Sequence, residues 1–249
     1  MTRMVRLVLV ALLAVPVAAS SYTEAPVADG GVLVGRVRFA GEPVRGESIP
    51  VRKNTDVCGE SKPSEALIVG PGRGVRHTVV YLEGVERGKR PADAELDNVK
   101  CLFAPHVLAV MVGGRVRVRN GDPILHNTHG REDRQTVFNV ALPNRDSAAD
   151  VTKRIKKPGV LQVLCDAHTH MQGWIVVRDN PYFAVTDDEG RFRIADVPPG
   201  RYRVVAWHEG FVVTGKDKDG RPVHDAPRVV TQEVTVQARV ETPVDFEIK

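Results

Sequence analysis

What this 249-residue chain lacks excludes several classes at once. Beyond residue 20 no stretch is long and apolar enough for a membrane helix, which needs about 20 such residues. No long segment has helical periodicity, so the chain reads as β throughout. Charge of one sign is not in excess: 35 Lys and Arg against 31 Asp and Glu leave +4, or about +2 once Arg3 and Arg6 are set aside, too little to suggest nucleic-acid binding. There is no phosphate-binding glycine loop, no zinc-protease motif and no nucleophile–base pair, so the residues do not read as an enzyme. Cysteine is scarce, with three in the chain.

The first twenty residues have the order of a secretory signal peptide. Arg3 and Arg6 precede an apolar run, Leu7 to Val17, and Ala18-Ala19-Ser20 supply small residues for cleavage. The run is too short to span about 30 Å of hydrocarbon, and no cysteine stands at the cleavage point to carry a lipid. The mature chain is therefore expected to be exported, periplasmic or extracellular, with no membrane insertion. An odd cysteine count in that setting implies one disulfide and one thiol with another task. Cys165 lies among histidines, so Cys58 and Cys101 are the expected pair.

Short Val-rich runs separated by Gly, Pro, Asn and Asp mark the strands. They are expected over 32–39, 66–69, 78–82, 107–112, 115–119, 136–140, 151–155, 160–164 and 174–177. Residues 84–98 read as a loop, and Gly113-Gly114 as a hairpin turn. In 115–119, Val116 and Val118 face one side and Arg115, Arg117 and Arg119 the other. After Asp179-Asn180-Pro181 the texture changes to a smaller antiparallel set, with 214–227 as an exposed loop. This divides the chain into residues 31–178 and 179–249.

Leu164-Cys165-Asp166-Ala167-His168-Thr169-His170-Met171 lies between two strands. A thiolate, an imidazole three residues on and a thioether three further on can converge from one tight loop. His126, at a strand end, is the candidate for a third strong ligand. Soft sulfur with two imidazoles and a long axial Met is the ligand set of electron-transfer copper. A tetrahedral zinc site from Cys165, His126, His168 and His170 is the chemical alternative.

The run Asn120-Gly-Asp-Pro-Ile-Leu-His126-Asn127-Thr-His129, followed by Cys165-x-x-His168-x-x-Met171-x-Gly-Trp-Ile-Val-Val, resembles the plastocyanin and amicyanin branch of the cupredoxins. The likeness covers roughly residues 104–177, by the spacing of the strands. It implies a Greek-key β-sandwich and one type 1 copper ion held by His126, Cys165, His168 and Met171. It also implies that Asn127 ties the ligand loops together and that an exposed edge of His168 or His126 passes electrons. The stretch 40–76 is longer than that family's compact start. Thr186-Asp-x-x-Gly190-x-Phe192 through Val197-Pro-Pro-Gly200-x-Tyr202 resembles a carboxypeptidase regulatory-like, transthyretin-like β-sandwich.

Together these readings give an all-β, exported blue-copper protein that carries electrons to a redox partner. The cluster Lys153, Arg154, Lys156 and Lys157 is one solvated face or a docking patch for an acidic partner. A copper-handling or structural module is the second reading. His129 and His170 are expected outside the ligand set, and His77, His106, His208 and His224 are expected in ordinary supporting roles.

Overall fold

The computed structural model describes residues 22–42 and 46–249. The expected signal peptide, residues 1–20, lies outside them. No helix among the described residues is long and apolar enough to cross a membrane. Among the described residues helix is confined to Thr55–Cys58 and two 3-10 turns; nearly everything else regular there is strand.

Four sheets carry the fold. In the first, Gly31–Phe39 lies between Arg191–Val197 and Glu241–Pro243, and its far end pairs with Phe246–Ile248. The second runs Phe183–Val185, Val79–Glu83, Gly200–His208, Arg228–Val236. The third runs Gln135–Leu142, His126–Glu132, Gly159–Leu164, Gln172–Arg178, Val107–Met111, and the fourth Ala148–Asp150, Val116–Asn120, Ala94–Val99, Leu102–Ala104.

Side-chain alternation stacks them. Along a strand successive residues face opposite sides, and in the middle sheets both sides are apolar. Val80, Leu82, Val204 and Ala206 join Leu33, Val37, Ile194 and Phe246 in a core between the first two sheets. Their neighbours Val79, Tyr81, Val205 and Trp207 meet Val107, Val176 and Trp174 between the second and third. Trp174 and Trp207 stand edge to face across that seam, ring centroids 5.8 Å apart. Leu108, Val110, Leu161, Val163, Ile175 and Val177 then face Leu96, Val116 and Val118 in a third core, which also holds Cys165 and Met171.

Several expectations change for identifiable reasons. Gly31–Phe39 and Val79–Glu83, grouped by sequence with residues up to 178, pair instead with strands after residue 182. Gly113-Gly114 does not join a hairpin. Val107–Met111 pairs with Gln172–Arg178 and Val116–Asn120 with Ala94–Val99, so the turn carries the chain across the third core and buries both apolar faces. The expected loop 84–98 ends in the strand Ala94–Val99. The expected strand 151–155 is a single 3-10 turn, Thr152–Arg154. There Asp150 Oδ1 accepts from Thr152 N (3.0 Å) and Thr152 Oγ1 accepts from Val116 N (2.9 Å), taking the place of ladder partners. Residues 66–69 contribute only a bridge from Val69 to Val75. The expected loop 214–227 contains a hairpin, Val213–Lys216 with Pro222–His224.

A buried charge cluster also crosses the seam. His106 Nε2 donates a short hydrogen bond to Glu209 Oε1, and its Nδ1 lies 3.7 Å from Glu65 Oε2. The His77 ring stacks on it at 5.0 Å. Burial lowers the pKa of His106, but the Glu209 carboxylate, its hydrogen bond and Glu65 outweigh that, and the net shift is upward. His77, buried and facing His106 and Arg76, is pushed down to about 3 and stays neutral. A histidine whose folded pKa is raised stabilises fully below its unfolded value, about 6.5, and loses that stability as pH rises through the folded pKa. Glu209→Ala is therefore expected to cost about 3–5 kcal/mol near pH 6, as loss of one partner of a buried pair does. The gap from wild type should narrow at alkaline pH. Urea unfolding at pH 6 and pH 9 measures both; a pH-independent gap refutes the charged pair.

Candidate metal centre

Strands Gly159–Leu164 and Gln172–Arg178 form an antiparallel pair whose register ends at Leu164 opposite Gln172. The seven residues between them, 165–171, make the connecting loop. It closes on itself through Met171 N donating to His168 O at 3.0 Å. On the other side of Gly159–Leu164, His129 is in register with Leu164. His126 lies three residues earlier on that antiparallel strand and so projects past the strand end, beside the loop.

The result is a buried trio. Cys165 Sγ is 3.8 Å from His126 Nδ1 and 3.7 Å from His168 Nδ1, and the two rings are 4.6 Å apart. Cys165 and His126 are 0% exposed and His168 is 2% exposed. Met171, also 0% exposed, shares their core. Metal–sulfur and metal–nitrogen bonds of about 2.3 and 2.0 Å, spread at about 120°, hold S and N about 3.7 Å apart; a tetrahedral angle gives about 3.5 Å. The observed separations are of the size that donors sharing one ion have, so the three atoms fit a metal ion between them.

Asn127 fixes the two halves together. Its Oδ1 accepts from Cys165 Sγ (3.5 Å), Asp166 N (2.7 Å) and Ala167 N (3.2 Å). Its Nδ2 donates to Asn139 Oδ1 and Asp166 Oδ2, both at 2.9 Å. Burial pushes the Cys165 thiol up, against backbone N–H groups of Asn127, His168 and Ala167 that favour the thiolate. Burial lowers His126 despite its bond to Asp122. It lowers His168 to about 4, with His126, His170 and Lys53 adding. Both imidazoles are thus neutral near pH 7, the form in which a histidine binds a metal.

His129 and His170 are not drawn into the trio. His129 Nδ1 meets Asp166 Oδ1 at 3.1 Å and its Nε2 meets Thr136 Oγ1 at 2.8 Å. His170 Nε2 donates to Cys101 O at 3.1 Å. The expected exposed histidine edge is also absent: His126 and His168 are both buried, because the segment around Thr55–Cys58 covers His168 and the 120–123 turn covers His126. Cys58 and Cys101 form the disulfide and Cys165 is free. With its sulfur in that bond, Cys101 cannot serve a second grouping with Asp122 and His126.

Sequence reasoning missed three residues here. Asp122 Oδ2 accepts from His126 Nε2 at 3.0 Å, and Asn54 Oδ1 accepts from His168 Nε2 at 3.0 Å. Arg221, from the hairpin read as an exposed loop, is buried and donates to Cys165 O at 2.7 Å. Only Asp122 carried a local signal, standing four residues before His126 in a turn.

A family model of the carboxypeptidase regulatory-like domain matches residues 175–249. No curated protein matches the chain. Among solved structures, part of the chain is similar to the copper-containing nitrite reductase of Thermus scotoductus SA-01, at 24% identity and TM-score 0.31, over 36% of this chain and 23% of that one. It is also similar to a purple cupredoxin from Nitrosopumilus maritimus, at 21% identity and TM-score 0.30, over 34% and 100%. A third likeness is to amicyanin from Paracoccus versutus, at 15% identity and TM-score 0.31, over 40% and 97%. This chain thus spans less than a quarter of the nitrite reductase, 23% of its length. The chain is all-β, as its sequence implied.

Proposed function

We propose that this chain is an exported protein that holds one type 1 copper ion through His126, Cys165 and His168, with Met171 as axial ligand, and carries single electrons. The observation that supports it is the convergence of one Sγ and two Nδ1 atoms on three buried residues. Copper bound there would supply one-electron redox chemistry. The protein's own part is to keep the donors in place and water out. Asn127 holds the loop carrying Cys165 and His168 against the strand carrying His126, and the third core surrounds the sulfur. A rigid, dry site needs little rearrangement when the charge of its ion changes.

Two alternatives fit less well. A zinc site needs a fourth strong donor, and the known bond of His170 Nε2 goes to a carbonyl. A copper-handling role needs an accessible ion, whereas all three donors are buried. The disulfide agrees with an oxidising compartment. Lys153, Arg154, Lys156 and Lys157 precede strand Gly159–Leu164, so about 20 Å of strand separates them from Cys165. Lys157 is also paired with Glu132 at 2.7 Å. A redox partner that needs a short path to the metal is therefore proposed to dock elsewhere.

The test is copper loading of the full chain, with metal analysis, absorption and voltammetry. One copper per chain, an intense visible band and a reversible couple are expected. Met171→Leu should keep copper and colour and raise the potential, since losing a weak donor destabilises Cu(II) more than Cu(I). His126→Ala should bind copper far more weakly or change the spectrum. Zinc alone after growth with both metals, or a native spectrum in His126→Ala with copper lost from Met171→Leu, overturns the assignment.

A further inference from the structure

Both imidazoles of the trio have their remote nitrogens tied down, and the ties lead to the same disulfide. His126 Nε2 donates to Asp122 Oδ2 at 3.0 Å. The same carboxylate accepts from Lys100 N at 2.8 Å and Cys101 N at 2.7 Å, which anchors it to the turn bearing one half-cystine. His168 Nε2 donates to Asn54 Oδ1 at 3.0 Å. Asn54 is the N-cap of the turn Thr55–Cys58, and its carbonyl accepts from Val57 N and Cys58 N at 3.0 and 2.8 Å. Cys58 and Cys101, 43 residues apart in sequence, are joined and buried, so Asn54 and Asp122 are each tied to one side of the same bridge.

A carboxylate oxygen and an amide oxygen can only accept. Each therefore requires a proton on Nε2 and leaves Nδ1 with a free lone pair. An imidazole without such a partner populates both tautomers, and in the wrong one the Nδ1 proton would point at the sulfur. We propose that Asn54 and Asp122 are positioning residues that set His168 and His126 in the Nε2–H tautomer before any metal arrives, so that the donor trio is complete in the metal-free chain. This deepens the copper reading and rests on it only in taking the two histidines as ligands. A purely structural role for Asp122 is already met by its two backbone bonds. Asn54 holds its turn through its main-chain carbonyl, so its side chain is left for His168.

The backbone at Asn54 is left-handed, φ 54° and ψ 44°. Glycine tolerates that conformation and removes the acceptor, while aspartate keeps both. The experiment records long-range ¹H–¹⁵N spectra of the histidine rings in the metal-free, full chain, then copper(II) affinity by competition. Wild type should show His126 and His168 as single Nε2–H tautomers. Asn54→Gly should release His168 alone and weaken copper(II) binding about 10–100-fold, as loss of such a partner does. Asn54→Asp should restore the tautomer. Asp122→Ala should release His126 alone. If Asn54→Gly and Asp122→Ala leave both tautomers fixed, or each disturbs both rings equally, the proposal is overturned. The ring spectra need no metal, so wild type that shows the tautomers but refuses copper sinks the copper reading and leaves the positioning role standing.

Discussion

Cys165→Ser should abolish tight copper binding and any intense visible band while leaving the fold intact. The thiol is the one free sulfur besides the thioethers, and it is wholly buried. Its thiolate is the soft donor that selects copper, and the colour of such a site comes from charge moving between that sulfur and the metal. A serine hydroxyl is a hard donor and stays protonated at any pH the protein survives. The affinity lost should therefore exceed the roughly 100-fold upper range seen when only an outer partner of a ligand is removed. The hydroxyl can still donate to Asn127 Oδ1, as Cys165 Sγ does. The remaining polar atoms are thus satisfied, and the change in stability should stay within about 1–2 kcal/mol. Metal analysis, absorption and urea unfolding of the variant give all three quantities. A serine variant that is blue and binds one copper would remove Cys165 from the site.

The second large effect concerns the last part of the chain. Expressed alone, residues 179–249 should not fold, although a family model ends its match with them. Val79–Glu83 separates Phe183–Val185 from Gly200–His208, and Gly31–Phe39 separates Arg191–Val197 from Glu241–Pro243. Without these two strands each sheet loses an interior member. The core loses Leu33, Val37, Phe39, Val80 and Leu82, all buried. At about 1.5–3 kcal/mol for each buried apolar side chain, the loss is about 7–15 kcal/mol. Whole domains are stable by about 5–15 kcal/mol. Far-UV circular dichroism and amide dispersion of the fragment test this, and a dispersed, cooperative fragment contradicts it.

The same two strands show where the sequence was legible and where it was not. Gly31–Phe39 was readable as a strand because its apolar residues recur along a short bounded run, but nothing local states its partners. Those lie more than 150 residues away. In Val116–Asn120 the in-and-out alternation was visible, since Val116 and Val118 are buried beside exposed Arg117. Ala94–Val99 was not, because two of its inner positions are filled by Leu96 and Asn98. Asn98 is an amide whose Nδ2 donates to Arg119 O and Thr128 Oγ1, so a buried residue looked like loop composition. At the site, ligand spacing within residues 165–171 was local and therefore readable. Asn54 and Arg221 reach it across 114 and 56 residues, through contacts that have no periodicity to betray them.

The central place of Gly31–Phe39 also has a consequence in time. Its parallel partners, Glu241–Pro243 and Phe246–Ile248, follow it by about 209 residues, the separation bridged by Arg36 N and Asp245 Oδ1. At about 5–20 residues per second of synthesis, the strand waits roughly 10–40 s before those partners exist. Until Arg191–Val197 is made, Gly-Val-Leu-Val-Gly-Arg-Val-Arg-Phe, a largely apolar segment of the kind that adds to a neighbouring chain, has no partner strand, and afterwards one of its edges still waits. Arg36 and Arg38, within the strand, place positive charge along it during the wait, and both later meet acidic partners, Glu189 and Asp245. The arginines that end as surface ion pairs are thus, until then, unpaired charges on an open strand, a feature that disfavours strand-to-strand aggregation.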